Sequence, residues 1–264
     1  MRKGEGGLSG MKRPPEAYWS LFKVAHERVV PLLKERIHPG LLNPVFGLPP
    51  PKGLETGRRP SPNERYWLDW FQEFSEIDGS MKRLNQALAY LSHYPHAKVF
   101  RFHKLSEADW IRYHIEAYLQ ETYILYERLR RFLRKVEKVG IIARDKVGLG
   151  SVKKQKAVVD ASFKNVVRAR GGHVHDYRFQ DDELRDLDTL VLVTSAGRLR
   201  ELRWVRRYKF DAALLKWRRQ ILGNNRETEK LCVAVFGEMT AVLTRNEPTR
   251  SESRQLKNRS PRRL

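Results

Sequence analysis

Read for the spacing of its apolar residues, the chain is a succession of helical patterns separated by proline, glycine and asparagine. Glu16 to Ile37 carries apolar residues at three- and four-residue steps, interrupted by Pro31, which would bend or split a helix. From His38 to Pro62, seven prolines and four glycines forbid a regular element, so 38–62 reads as a loop or linker. Asn63 then opens a helix that places Trp67, Trp70, Phe71 and Phe74 on one face and ends at Gly79. A second begins at Ser80 and stops before Pro95. The longest begins at Ser106, where Ser-Glu-Ala-Asp resembles a capping box with aspartate in the fourth place. It extends to about Lys138 with Ile111, Ile115, Tyr118, Leu125, Leu129, Phe132 and Val136 along its apolar stripe.

Beyond it, Lys-Val-Gly-Leu-Gly-Ser-Val-Lys-Lys (146–154) reads as a glycine-punctuated turn, followed by a helix from about Val152 to Arg170 that Gly171 and Gly172 end. Another helix starts near Asp181 with acids in its first turn, where the helix dipole favours them. Gly197 separates it from the next, and Asn224–Asn225 separates that from the last. Strand-like runs occur only at 191–193 and 232–236, each inside a longer helical pattern. The expectation is an all-α bundle over 63–245 with a long amphipathic central helix. A flexible basic arm (1–15), a helical segment (16–37) and the 38–62 loop precede it, and a disordered basic tail (246–264) follows.

Charge changes this picture from a plain bundle to a polyanion-binding one. Lysine and arginine number 52 against 31 acids, a net charge of +21. The excess is concentrated: eleven basic residues face two acids between Arg128 and Lys156, and nine face two between Arg198 and Arg219. A single basic run is most simply a solvated face, but two runs and a basic tail without offsetting acids point to phosphates. The candidate contacts are Arg130, Arg131, Arg134, Lys135, Lys153, Lys154, Lys156, Arg203, Arg206 and Arg207. RNA is the expected partner, with DNA as the competing polyanion. Charges interrupt every apolar run, so no transmembrane segment is expected. The single cysteine, Cys232, excludes an internal disulfide and a thiolate zinc site. The opening residues lack a secretory apolar core, and a cytoplasmic location is expected.

One constellation can carry chemistry. Arg168 and Arg170 approach His173 and His175 across Gly171–Gly172. A guanidinium can stabilise charge developing on a phosphate while an imidazole moves or orients a proton, a pairing suited to RNA cleavage through the 2′-hydroxyl without a metal. His-Val-His-Asp lacks a third and fourth metal ligand nearby, so neither metal nor cofactor is expected. A structural account, with a glycine turn and surface arginines, competes with catalysis. His114, on the apolar side of the long helix, reads as a hydrogen-bonded core histidine.

An Arg-x4–6-His element after a long amphipathic helix resembles the HEPN superfamily (higher eukaryotes and prokaryotes nucleotide-binding domains), over about Asn63 to Arg245. Arg168-x4-His173, Arg170-x4-His175 and Arg168-x6-His175 satisfy the spacing; Ala169 and Gly171 stand where the family most often has Asn, Asp or His. The resemblance implies a helical-bundle, metal-independent endoribonuclease of the toxin or phage-defence kind. It further implies a homodimer with a composite site, arginine on the scissile phosphate, histidine on the 2′-hydroxyl, and an antitoxin or other protein partner. Of the pairings, Arg168 with His175 is preferred, because a persisting helix would return both to one face. The alternatives are a non-catalytic nucleic-acid-binding or assembly protein and, third, a peripheral protein laying the basic helix after Arg198 on anionic membrane.

Overall fold

The structure is a computed structural model, and it describes Lys23, Glu27 and residues 61–92, 106–175, 181–195 and 200–246. The 1–15 arm, the 16–37 segment as a whole, the 38–62 loop up to residue 60 and the tail beyond Asn246 lie outside the described residues. Helix accounts for 96% of what is described, with five α-helices and no strand among those residues. We label them α1 (Pro62–Ser92), α2 (Glu107–Ala143), α3 (Lys146–His175), α4 (Asp182–Ser195) and α5 (Arg203–Arg245), with a 3-10 turn at Arg200–Leu202 before α5. The two strand-like runs lie inside α4 and α5.

The helix starts are set by side-chain caps. Ser61 and Glu64 form a reciprocal box: the Glu64 N–H donates to Ser61 Oγ at 3.3 Å and the Ser61 N–H to Glu64 Oε2 at 2.6 Å. Pro62 occupies the first helical position, where its missing N–H costs nothing, so α1 starts just before the Asn63 cap that the pattern suggests. At α2 the expected box forms, with Asp109 N–H donating to Ser106 Oγ at 2.9 Å and Ser106 N–H to Asp109 Oδ2 at 3.1 Å. Asp181 caps α4 by accepting from the Glu183 N–H at 2.7 Å.

Three expected breaks are absent. Gly79, Gly171–Gly172 and Asn224–Asn225 all lie inside helices. A helical glycine costs only about 1 kcal/mol, which burial of Ile77, Met81 and Leu84 around Gly79 readily outweighs. The turn between α2 and α3 also falls earlier than 146–154. Arg144 takes φ 55°, and Asp145 N–H reaches back to Gly140 C=O at 2.9 Å, which closes α2 with a left-handed residue. Asp145 then caps α3 through the Gly148 N–H at 2.9 Å. Gly148 and Gly150 are thus helical.

The described residues divide into two compact units, one formed by those up to Ser75, Arg134–Val152 and 232–246, the other by those within Glu76–Leu133 and Lys153–Leu231. In the first, Phe74 packs on Phe236 with ring centres 5.2 Å apart, Tyr66 donates to the Leu243 carbonyl at 3.2 Å, and Lys135 pairs with buried Glu73 at 2.6 Å. In the second, α2 buries Ile111, Ile115, Tyr118, Thr122, Leu125, Leu129 and Phe132. Those steps of four and three repeat every seven residues, the spacing that keeps one seam of a helix against its neighbours. Asn225, in mid-α5, is buried and donates to Leu84 C=O (3.3 Å) and Asn85 Oδ1 (3.1 Å) while its Oδ1 accepts from Tyr118 O–H (3.1 Å).

Candidate nucleic-acid interface

Within the second unit, α3 turns Val152's successors Val159 and Phe163 inward and leaves the opposite side to solvent. That outer side carries Lys153, Lys154, Lys164 and Arg168, all exposed, with the small residues Ala157 and Ala161 between them. None of the four cations has an ion-pair partner among the described residues. The one acid on this side, Asp160, is already engaged: it accepts from Tyr126 O–H at 3.0 Å and lies 3.4 Å from Arg130 Nε. Burial, then the hydrogen bond to Asp160, pushes the Tyr126 hydroxyl above its ordinary range. Lys156 is half-buried on the flank.

The remaining predicted contacts divide by their partners. Lys135 is committed to Glu73. Arg130 lies over the Tyr126 ring at 5.4 Å as well as beside Asp160. Arg131 and Arg134 are exposed on α2. On α5, Arg203 is exposed and without an ion pair among the described residues, whereas Arg206 is half-buried, 3.2 Å from Glu107 Oε2 and donating to Thr194 Oγ1 at 3.1 Å. Arg207 pairs with Asp211 at 3.1 Å and covers the Phe210 ring at 5.4 Å. The acidic start of α4 engages two α5 lysines: Lys216 meets Glu183 at 2.6 Å and Asp181 at 3.3 Å, and Lys209 meets Asp186 at 3.4 Å. The hydrogen bond to Glu183 is the main reason the Lys216 ammonium is held above its ordinary range.

The contacts named from sequence leave out three exposed cations farther along α5, Arg218 and Arg219 of the second basic run and Arg226 beyond it, and two exposed aromatics, Trp204 and Tyr208. Their signal was position: all five fall off the face that buries Phe210, Ala213, Trp217 and Ile221. Leu202 and Val205, just before that face, are only half-buried.

The Arg/His element has a different backbone from the expected turn. Because α3 continues to His175, positions 168 and 175 lie within about 20° of each other around the helix axis, while positions five apart (168 with 173, 170 with 175) lie about 140° apart. Arg168 is exposed; the side chains of Arg170, His173 and His175 lie outside the described residues. His114 is half-buried among rings, edge-on to Trp110 at 4.7 Å and stacked with Tyr90 at 6.2 Å. Ring contacts, rather than the expected hydrogen bond, surround it among the described residues, and burial lowers its pKa. Among those residues no group of three or more His, Cys, Asp or Glu could hold a metal ion, and no helix is long and apolar enough to cross a membrane.

Comparison of the chain with protein-family models, with curated proteins and with solved structures finds no match.

Proposed function

We propose that this chain binds RNA in the cytoplasm, using the outer side of α3 as its principal phosphate-tracking surface. The observation that carries the reading is that Lys153, Lys154, Lys164 and Arg168 share that side and meet no acid among the described residues, while Lys135, Arg206 and Lys216 are held in ion pairs. Cations that already have a carboxylate gain little from a phosphate; cations that have none gain most, and they release counterions from the nucleic acid when they bind. The test is RNA binding by fluorescence anisotropy across a salt series. For single-stranded RNA, replacing Lys153, Lys164 and Arg168 by glutamate removes three phosphate contacts and flattens the slope of log affinity against log salt by about 2. An unchanged slope and affinity would remove α3 from the interface.

A second reading, metal-independent RNA cleavage, is favoured by the continuity of α3 through Gly171–Gly172, which returns positions 168 and 175 to one side of the helix. It expects total RNA to be cut in the presence of EDTA. Loss of cutting in Arg168→Ala and His175→Ala, with RNA affinity kept in His175→Ala and lowered by no more than one phosphate contact in Arg168→Ala, would support it. Intact RNA after prolonged incubation would leave a binding protein without this chemistry.

A further inference from the structure

We propose that the Trp204–Tyr208 edge of α5 is a stacking platform for unpaired bases, so that the chain holds single-stranded rather than duplex RNA; this rests on the RNA-binding reading above. Trp204 is 71% exposed and Tyr208 68%. Four residues apart on a helix, they share a side and stand about 6 Å apart along the axis, so each ring can present a face to a separate base. Large aromatics gain from being buried, and these two are instead left in water. Around them the charge is positive. Arg203 and Arg207 lie beside them, Arg207 paired with Asp211, and Arg218, Arg219 and Arg226 continue the basic side of the helix about 15–27 Å beyond Tyr208.

That charge decides the occupant. A second copy of the same face would set arginine against arginine, so the platform is a poor self-association surface. A partner must supply negative charge and flat apolar faces together, as an unpaired nucleotide does and a duplex, whose base faces are already stacked, does not. An anionic bilayer also joins the two features, but it needs a broad apolar face. Here the two rings make a short, narrow apolar line, and exposed Asp211, 3.1 Å from Arg207, interrupts it before Leu215. For RNA that carboxylate is largely neutralised by its arginine.

The experiment compares a short labelled oligoadenylate RNA with the same strand annealed to its complement. The proteins are wild type, a Trp204→Ala/Tyr208→Ala variant and a Trp204→Phe/Tyr208→Phe variant. The alanine variant should lose at least about 10-fold in single-strand affinity, the effect expected when base stacks are lost, with duplex affinity and the salt slope unchanged because no phosphate contact is removed. The phenylalanine variant should recover most of the single-strand affinity. Equal losses for single strand and duplex, or no loss for either, overturn the platform. So does a variant that keeps its RNA affinity but leaves phosphatidylserine vesicles to which the wild type binds. A wild-type chain that binds neither RNA form overturns the RNA reading itself, whereas one that binds RNA indifferently to these rings overturns only the platform.

Discussion

Asn225→Ala tests whether the middle of α5 is held by one buried amide. Both donors and the acceptor of that side chain are used: Leu84 C=O at 3.3 Å, Asn85 Oδ1 at 3.1 Å and the Tyr118 hydroxyl at 3.1 Å. The three losses differ in weight. Leu84 C=O belongs to a helix and Asn85 is exposed, so both have other partners, and losing the two donated bonds costs about 1 kcal/mol together. Tyr118 is only 2% exposed, but the Thr122 and Asn224 side chains also hydrogen-bond it, so losing the Asn225 bond costs about 1 kcal/mol. Alanine's better helix propensity returns about 0.6 kcal/mol. The net is about 1.4 kcal/mol, a fall in Tm of roughly 3–6 °C for a chain of this size. Urea unfolding followed by far-ultraviolet circular dichroism measures it, and Tyr118→Phe with the double variant closes a thermodynamic cycle whose coupling should be about 1 kcal/mol. A variant within about 0.5 kcal/mol of wild type, or strictly additive single effects, would refute the claim that this amide joins α1, α2 and α5.

Other outcomes follow from the caps and ion pairs. Gly150 has open space where a Cβ would stand, so Gly150→Ala should stabilise by up to about 1 kcal/mol; at Gly148 a Cβ would overlap the Asp145 carboxylate and reach Val242 Cγ1 at 3.0 Å, so Gly148→Ala should destabilise despite the same gain in propensity. Thermal unfolding of the pair checks both signs. Asp145 is held below its ordinary value of 3.8, first by the Gly148 N–H and then by Asn246, so its contribution is full above that value and is lost as pH falls through the lowered folded value. Asp145→Ala should therefore cost about 1 kcal/mol at neutral pH, with the difference from wild type closing in strong acid. Arg206→Ala should lower stability by about 1–2 kcal/mol by leaving Glu107 without its partner, whereas Arg203→Ala should leave stability unchanged and weaken RNA binding.

Much of the fold could be read from spacing alone because α2 repeats its buried residues every seven positions and opens with a local cap, Ser106 to Asp109. Local rules failed where a distant partner changes the balance. Asn225 looks like a helix break until Tyr118 and Leu84 are brought beside it, and Gly148 looks like a turn residue until Asp145 caps its N–H and, with Val242, fills the place of a Cβ. The same limit applies to the candidate interface. Counting arginines located the two basic regions, but whether a given arginine faces a phosphate or a carboxylate depends on acids far off in sequence. Arg206 meets Glu107 and Lys135 meets Glu73, while Lys153 and Arg203 meet none among the described residues. No periodicity distinguishes these cases.

The helical continuity of α3 also sets a condition on the cleavage reading. Seven residues along a helix are about 10.5 Å of rise, so positions 168 and 175 share a side but stand almost two turns apart. A scissile linkage is a few ångströms long, so one chain's pair would straddle it rather than converge on it. Two α3 helices placed antiparallel across a twofold axis would instead set position 168 of each opposite position 175 of the other, giving two matched pairs. On the proposed cleavage reading such a homodimer would supply the matched pairs, and this is measurable. Arg168→Ala and His175→Ala, each inactive alone, should recover partial activity when mixed and allowed to exchange subunits, because the heterodimer keeps one intact pair. The recovered rate should fall on dilution through the dimer's dissociation. Activity that is undiminished in a monomeric chain would show that Arg168 and position 175 do not act across such an axis, and RNA binding by α3 would then stand without this chemistry.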